Sequence, residues 1–411
     1  MQKNGVRIYL FDTHIGTMYD DNGRIYLVQH DSGAHFASPI SIDKEIAQME
    51  TTSLPEGVAG FIHDALPGDY GDRVMEKFYL SHEGSEPRVI DKLLFIGDRS
   101  LGALSFQPET QREDAEHTLQ LRELYDESKR IKEGKVSATS DYLMIAAHSV
   151  AGGARSKAVV GVNPESKEIY LGHRHGALPE GFFRAIVKYD DTPEQKHSEY
   201  TKLEYIYSLL AKEAGISMSQ TRLMEDNGRV HFVTERFDHT DTERFHVHSL
   251  AGLLHADYKI PRSLDYDDLF RTAIALGARK DIPQLFRQML FNYMLVNQDD
   301  HAKNFSFMMD KEGSWHATPA YDLTFAKGKG LTVEHQLKLD GKLMSEAILD
   351  DFASMAKRYR IDNTLLAEMI ETIDALRSTM LPELLKAYSI GEEKAKFILS
   401  SVEKRRFGGI L

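Results

Sequence analysis

The period of the apolar residues changes along this chain, and that change constrains the fold more than any other feature. Up to about residue 235 short alternating apolar runs are interspersed with helical stretches; from about residue 246 the apolar residues recur at helical spacing. Alternation sends successive side chains to opposite faces of a strand, whereas a 3.6-residue period lines one face of a helix. Residues 6 to about 42 read as short strands, with Val6, Ile8 and Leu10 alternating with Arg7, Tyr9 and Phe11. Asp21-Asn22-Gly23 reads as a hairpin turn before a second alternation from Arg24 to Val28, because Asn-Gly tolerates positive φ. Around Tyr70 to Tyr79 the spacing predicts a helix, and Leu101 to Phe106 reads as another strand.

Further strands are predicted over Lys157–Val162, Lys167–Leu171, Arg184–Lys188 and Val230–Thr234. Helices are predicted over His117–Lys135 and His197–Ala214, the second stopping at Gly215. Ile282 to Val296 predicts an amphipathic helix, with Leu285, Phe286, Met289, Leu290 and Tyr293 on one side. Ser345–Arg360, Asn363–Tyr388 and Glu392–Phe407 predict three more. No internal repeat or low-complexity segment stands out. The fold class expected is α+β in three parts: a β-rich unit over 1–115, a mixed lobe over 116–245 and an all-helical lobe over 246–411.

Composition narrows the function. Hydrophobic residues make up 42% of the chain, enough for real cores. No stretch approaches the ~20 apolar residues of a membrane span, and Met1 to Val6 lacks a signal peptide's apolar region. With no cysteine, disulfides and thiolate chemistry are excluded. A cytoplasmic protein that does not bind membranes is the simplest expectation. The net charge of -13 argues against nucleic-acid binding by the whole chain. Lys404-Arg405-Arg406 forms a local basic cluster, read as a solvated helix end beside a favourable dipole.

The chemistry concentrates after the Ile282–Val296 helix, in Asn297-Gln298-Asp299-Asp300-His301-Ala302-Lys303-Asn304-Phe305. Four residues separate Asp299 from Asn304, the spacing of a protein-kinase catalytic loop. There an Asp accepts the substrate hydroxyl proton and an Asn ligates Mg²⁺. Eighteen residues on, Asp322 in Ala320-Tyr321-Asp322-Leu323 offers a second hard oxygen ligand, which suits a metal that takes one or two carboxylates beside phosphates. Asp322 also reads as a turn cap after Thr318-Pro319.

Upstream, Ser149-Val150-Ala151-Gly152-Gly153-Ala154-Arg155-Ser156-Lys157 is rich in small residues, which let backbone N–H groups approach phosphate closely. It does not meet the Walker A pattern. Lys188 closes a strand, as the phosphate-holding Lys of a kinase does, and Glu199 or Glu204 on the next helix would orient it. Each element alone is common, and an ordinary turn, exposed Lys or cap would explain it; their order is what a two-lobed kinase needs.

Together these motifs resemble the HipA family of toxin Ser/Thr protein kinases over essentially the whole chain. Val296 to Phe305 resembles the family's catalytic loop and Ala320 to Leu323 its metal-binding segment. Ala151 to Lys157 resembles its Gly-rich loop, and Thr234-Glu235-Arg236-Phe237-Asp238 its hinge. His63-Asp64-Ala65-Leu66-Pro67 and Gly102-Ala103-Leu104 resemble motifs of its N-terminal subdomain. The resemblance implies a two-lobed protein-kinase-like fold using ATP and Mg²⁺. It implies Asp299 as catalytic base with His301 supporting the loop, and Asn304 and Asp322 as Mg²⁺ ligands. It places Ala151, Gly152, Gly153, Ala154, Lys157, Lys188, Glu235, Arg236 and Phe237 around ATP.

It also implies autophosphorylation at Ser149, with Ser156 close by. The implied partners are a HipB-like DNA-binding antitoxin, DNA mainly through it, and a protein substrate such as an aminoacyl-tRNA synthetase, whose modification would inhibit translation. Two other readings stand beside this one. A kinase fold could serve as a non-catalytic scaffold or corepressor, or Asp299, His301 and Asp322 could form a Mg²⁺-dependent nuclease. A zinc hydrolase is not supported, since His173-Arg174-His175 and His246-Val247-His248 lack H-E-x-x-H spacing.

Overall fold

The computed structural model describes residues 5–21, 23–50, 54–108, 116–135, 142–150, 152–172, 177–191, 199–240, 242–328, 330–405 and 407. The first part is a five-stranded antiparallel sheet with helices packed on it. Its strands are β1 (Gly5–Leu10), β2 (Thr13–Asp21) and β3 (Arg24–Gln29), then, after α1 (Gly33–Ala37), β4 (Gln48–Glu50). Helices α2 (Gly60–Ala65), α3 (Asp69–His82) and α4 (Val89–Ile96) follow, and β5 (Leu104–Gln107) completes the order β4-β3-β2-β1-β5. Val6, Ile8 and Leu10 are buried, as period-2 alternation requires. Gly23, at φ 88°, turns β2 into β3 and its N–H is taken by Asp20 Oδ1 at 2.7 Å. Asn22 of that expected turn lies outside the described residues.

The middle part holds β6 (His117–Gln120), α5 (Leu121–Lys132) and α6 (Tyr142–Ser149). Strands β7 (Lys157–Val162), β8 (Glu168–Leu171) and β9 (Phe183–Lys188) follow, then α7 (Tyr200–Glu213), β10 (Thr221–Asp226) and β11 (Arg229–Glu235). Its sheet runs β10-β11-β9-β7-β8-β6. The helix expected over His117–Lys135 is corrected here: His117 to Gln120 pair with β8, and the helix begins only at Leu121 behind a Gln120/Glu123 capping box. A strand-to-helix change at adjacent residues gives no break in the apolar pattern. His197, the expected start of α7, lies outside the described residues.

The last part is mainly helical. It carries β12 (His246–Ser249), α8 (Leu250–Leu253), α9 (Tyr266–Ala275), α10 (Ile282–Met294), β13 (Ser306–Met309) and β14 (Trp315–Ala317). Then come α11 (Leu349–Arg358), α12 (Asn363–Ser378), α13 (Met380–Ala387) and α14 (Glu392–Glu403). The sheet β12-β13-β14 was not expected in an all-helical lobe. Its strands are three or four residues long and bear His and Ser, so they carry little β signal. The helix expected over Asn363–Tyr388 is two helices broken at Thr379, with Pro382 in the first turn of α13, where its missing N–H costs nothing. No helix among the described residues is long and apolar enough to cross a membrane.

One buried polar junction locks the first part onto the last. Helix α2 lies so close to α8 that a Cβ on Gly60 would sit 1.9 Å from the Gly252 carbonyl oxygen. Asp64 at the end of α2 accepts from Ser249 N–H and Oγ, both at 2.7 Å, and from His248 Nδ1 at 2.7 Å. His248 Nε2 in turn meets Ser38 Oγ at 2.8 Å, and Lys303 Nζ lies 3.9 Å from Asp64 Oδ1. His246 and His248 are thus fully buried strand histidines with structural partners. His173 and His175 lie outside the described residues.

Burial alone would raise the Asp64 pKa, but His248, Lys303 and Ser249 outweigh it and hold the carboxyl well below the usual range. A depressed folded pKa gives stability that is complete above about pH 4 and is lost as pH falls further. Asp64→Asn is therefore expected to cost about 3–5 kcal/mol at neutral pH, as removal of one partner from a buried pair does. It should also flatten the acid limb of stability. Urea unfolding of both proteins between pH 3 and pH 7 checks this, and equal stabilities at pH 7 would contradict it.

Candidate active site

The end of α10 aims the catalytic loop. Val296 has φ 58°, a strained value for a β-branched residue. It is held there because its carbonyl accepts from Ala326 N–H at 3.1 Å, while Gln298 N–H donates back to the Ala326 carbonyl at 2.9 Å. Of the two adjacent acids, Asp300 is buried and committed. It accepts from Tyr266 OH at 2.6 Å, from Gln336 N–H at 2.7 Å, and meets His335 Nδ1 at 2.9 Å. Asp299 is half-buried, and its carboxylate takes no side-chain partner among the described residues.

Asn304 Nδ2 donates to the Asp299 backbone carbonyl at 2.8 Å, which closes the loop and leaves its carbonyl oxygen for a cation. Burial pushes the Asp299 carboxyl up. Asp322 and Asp300 add repulsion, against His301 and Arg155. His301 lies with its ring 5.0 Å from Tyr258, and its buried Nδ1 has no hydrogen-bond partner among the described residues.

Lys188 sits at the inner end of β9, opposite Lys157 in the β7–β9 ladder. Its Nζ is 2.5 Å from both Glu204 Oε1 and Asp322 Oδ1. This settles the partner that spacing could not choose, since Glu199 instead accepts from Gly391 N–H at 2.5 Å. Burial disfavours the Lys188 charge, but the two carboxylates outweigh burial and keep it protonated. Asp322 holds φ 57°, a strained conformation for a non-glycine residue that clusters at functional sites. Burial opposes its charge, but Lys188 and Lys157 hold it ionised, well below the usual carboxylate range.

The Gly-rich loop leans on the first part of the chain. Tyr70 N–H donates to the Gly153 carbonyl at 3.2 Å and Arg73 Nη2 to the Ala154 carbonyl at 3.4 Å. A Cβ on Gly68 would stand 2.0 Å from Gly153 N, so the two backbones touch. Gly152, Gly153 and Ala154 are exposed, and Ala151 lies outside the described residues. Lys157 Nζ donates to the Gly152 carbonyl at 2.5 Å. Burial, then Lys188, lowers its pKa to about 8. Ser149 closes α6, fully buried, its Oγ donating to the Ala146 carbonyl at 3.2 Å. Ser156 Oγ donates to Asp191 Oδ2 at 2.9 Å.

At the hinge, Glu235 N–H donates to the Gln220 carbonyl at 2.9 Å and Arg236 N–H to the Arg184 carbonyl at 3.0 Å. Those two N–H groups are therefore already engaged within the protein. The Phe237 N–H stays open among the described residues, and its ring stacks 6.0 Å from Tyr321. The Arg236 side chain is spent on Asp238, with Nε at 2.9 Å from Oδ1. Asp238 also accepts from Gly102 N–H at 2.6 Å, which gives the Glu-Arg-Phe-Asp motif a structural task. A small recess of about 70 Å³ lined by Val159, Gly161, Arg184 and Arg236 opens beside the hinge. It contains none of Lys188, Asp299 or Asp322, so the charged chemistry lies elsewhere.

The residues brought together are Lys188, Glu204 and Asp322, with Lys157 and Asp299 in their electrostatic reach. Arg155 joins them: it stacks 3.9 Å over Tyr200 and acts on Asp299 and Glu204. Its place inside a Gly-rich run was its sequence signal. No three His, Asp or Glu among the described residues form a metal cluster. Asp322 offers a carboxylate and Asn304 an amide oxygen, both hard oxygen donors of the kind Mg²⁺ takes.

This geometry has relatives. The model of the HipA-like C-terminal domain matches residues 149–380, more than half of the chain. The chain is 21% identical over 205 residues to "Putative kinase Y4dM" of Sinorhizobium fredii, covering 45% of this chain and 49% of that one. The match thus spans about half the length of that curated relative. Among solved structures it is similar to a chain in the HipA, HipB and operator DNA complex of the Shewanella oneidensis MR-1 toxin–antitoxin system. The TM-score is 0.63 with 16% identity, over 97% of this chain and 95% of that one, a likeness of fold.

Proposed function

The chain belongs to the HipA-like C-terminal domain family, and on that premise we propose that it is a Ser/Thr protein kinase using Mg-ATP. The observation that carries this reading is Lys188 clamped between Glu204 and Asp322, with the Asp299 carboxylate unengaged nearby. When bound, Mg-ATP supplies the transferable γ-phosphoryl group and the metal charge that screens it. Asp299 would orient a substrate hydroxyl and take its proton as that oxygen bonds to the γ-phosphorus and the bond to the leaving ADP breaks. Its raised pKa makes it a stronger base than a free Asp. Asp322 and Asn304 hold the metal, Lys188 and Lys157 face the phosphates, and the Phe237 N–H is the hinge donor left for the base. On this reading the protein works in the cytoplasm with a HipB-like antitoxin, through which it meets DNA. Its target is a protein hydroxyl, with an aminoacyl-tRNA synthetase as the first candidate.

Incubation with Mg²⁺ and γ-labelled ATP, followed by phosphosite mapping, tests the reading. Label on the chain, foremost at Ser149, is expected. No label on unphosphorylated protein together with no ATP binding would overturn it and favour the scaffold reading. Because Ser149 is fully buried against α6, a phosphate of about -1.5 to -2 charges there has to displace the loop. Ser149→Glu is accordingly expected to weaken ATP binding by at least about tenfold, roughly one unit of charge forced from a buried site. Full ATP affinity in that variant, measured by calorimetry, would refute inactivation through Ser149.

A further inference from the structure

The segment after Asp322 returns to the catalytic loop and then leaves for the surface. Ala326 pairs with Asn297, and Gln336 Nε2 donates to the Gln298 carbonyl at 3.3 Å. Around the first anchor the segment packs on α14: the Phe325 and Phe397 rings lie 5.7 Å apart. Lys327 Nζ reaches Ser401 Oγ at 3.4 Å and stands 5.9 Å over Phe397, while Lys394 stands 5.5 Å over Phe325. Lys404 and Arg405 follow α14 directly, and Arg405 stacks 5.1 Å over Tyr293. Arg406 lies outside the described residues.

Four cations therefore gather beside the catalytic loop, and none is ion-paired to a carboxylate among the described residues. Burial, then Lys404 and Arg405, lower the Lys327 pKa, so the positive charges act on one another. In a chain of net charge -13 this is an exception that a solvated helix end does not explain. The same face exposes Leu331, Val333 and Phe397, at 49%, 59% and 45%. Gly328 N–H, donating to the Thr332 carbonyl at 3.1 Å, folds Leu331 and Val333 back next to Lys327.

We propose that this face docks the protein substrate, and that it takes an acidic segment bearing an apolar residue next to the phosphoacceptor. The inference rests on the kinase reading and names the substrate chemistry it would select. Unpaired cations draw an acidic partner and fix its orientation. Exposed aliphatic side chains beside them match a peptide side chain, and a sugar–phosphate backbone has no use for them. The acidic remainder of the chain repels a long polyanion more than a short peptide with a few carboxylates.

The test uses the full chain and two fluorescent Ser peptides that share a Leu beside the Ser, one flanked by Glu and one by Lys. Anisotropy reports binding, and label from ATP reports transfer. The Glu peptide is expected to bind about tenfold more tightly, as a few exposed ion pairs allow, and to show the difference in KM more than in kcat. The triple variant K327E/K394E/R405E is expected to reverse the preference, and Lys404→Glu alone to reduce it should the triple variant fail to fold. Equal binding of the two peptides by the wild-type chain, or a preference unchanged in both variants, overturns the proposal. A single-stranded RNA that binds the wild type and not the variants, with the peptides bound alike, assigns the face to nucleic acid and overturns it too. Peptide binding as expected but no transfer from bound ATP overturns the kinase reading and leaves the docking face standing.

Discussion

Replacing Asp299 with Asn is expected to slow phosphoryl transfer by about 10²–10⁴-fold, the range over which a positioned general base acts. ATP affinity should stay within a fewfold, because on the proposed reading Asp299 acts on the acceptor hydroxyl, whereas Lys188, Asn304 and Asp322 would hold the nucleotide. The backbone carbonyl of Asp299 keeps its bond from Asn304 Nδ2 in this variant, so the loop stays closed. The pH profile carries the same argument. The base must be ionised to work, and burial with Asp322 nearby raises its pKa. The acid limb of the wild-type single-turnover rate should therefore begin at higher pH than an ordinary Asp, near 3.9, would give. Asp300→Asn is the contrasting variant. Asp300 supports Tyr266, His335 and Gln336, so its loss should appear mainly as lower stability. An Asp299→Asn protein retaining a tenth or more of the transfer rate would remove Asp299 from the role of base.

Replacing Lys188 with Met should abolish transfer and destabilise the fold together. Its side chain is 11% exposed and that of Glu204 is 10% exposed, so the pair is desolvated. Removing the cation strands the Glu204 charge, at a cost of about 3–5 kcal/mol. The more open Asp322 contributes less, since solvent screens it. With Lys188 gone the Glu204 pKa rises further, so stability of the variant should recover as pH falls and Glu204 takes a proton. The Lys188→Met, Glu204→Leu double variant should regain stability and stay inactive. Chemical unfolding and label transfer on both proteins give the two readings separately. Stability unchanged by Lys188→Met would show that the pair is not the buried clamp described here.

The catalytic loop was legible because its parts are close in sequence: Asp299 and Asn304 lie on one short loop after a strongly periodic helix. The spacing to Asn304 already pointed to Asp299; what the structure adds is that Tyr266, His335 and Gln336 enclose the neighbouring Asp300 carboxylate. Glu204 and Glu199 were indistinguishable by spacing, because the turn of α7 relative to β9 is decided by packing. The hinge motif was visible, yet the sheet takes the N–H groups of Glu235 and Arg236, which only the ladder with β9 and the Gln220 carbonyl shows. Strands β6, β12, β13 and β14 escaped detection because they are three or four residues long and rich in polar residues or set directly against helical spacing, which gives little period to read.

By itself the sequence determined the α+β class, the succession of strands and helices around the site, and the residue types able to move a phosphoryl group. Local spacing carries that information, since periodicity and loop length act over a few residues. Tertiary structure alone decided which charges face one another. Lys188 meets Asp322 from 134 residues away, and Asp64 meets His248 from 184 residues away. Such pairs are selected by burial, because a charge taken out of water must find its partner wherever the packed chain brings one.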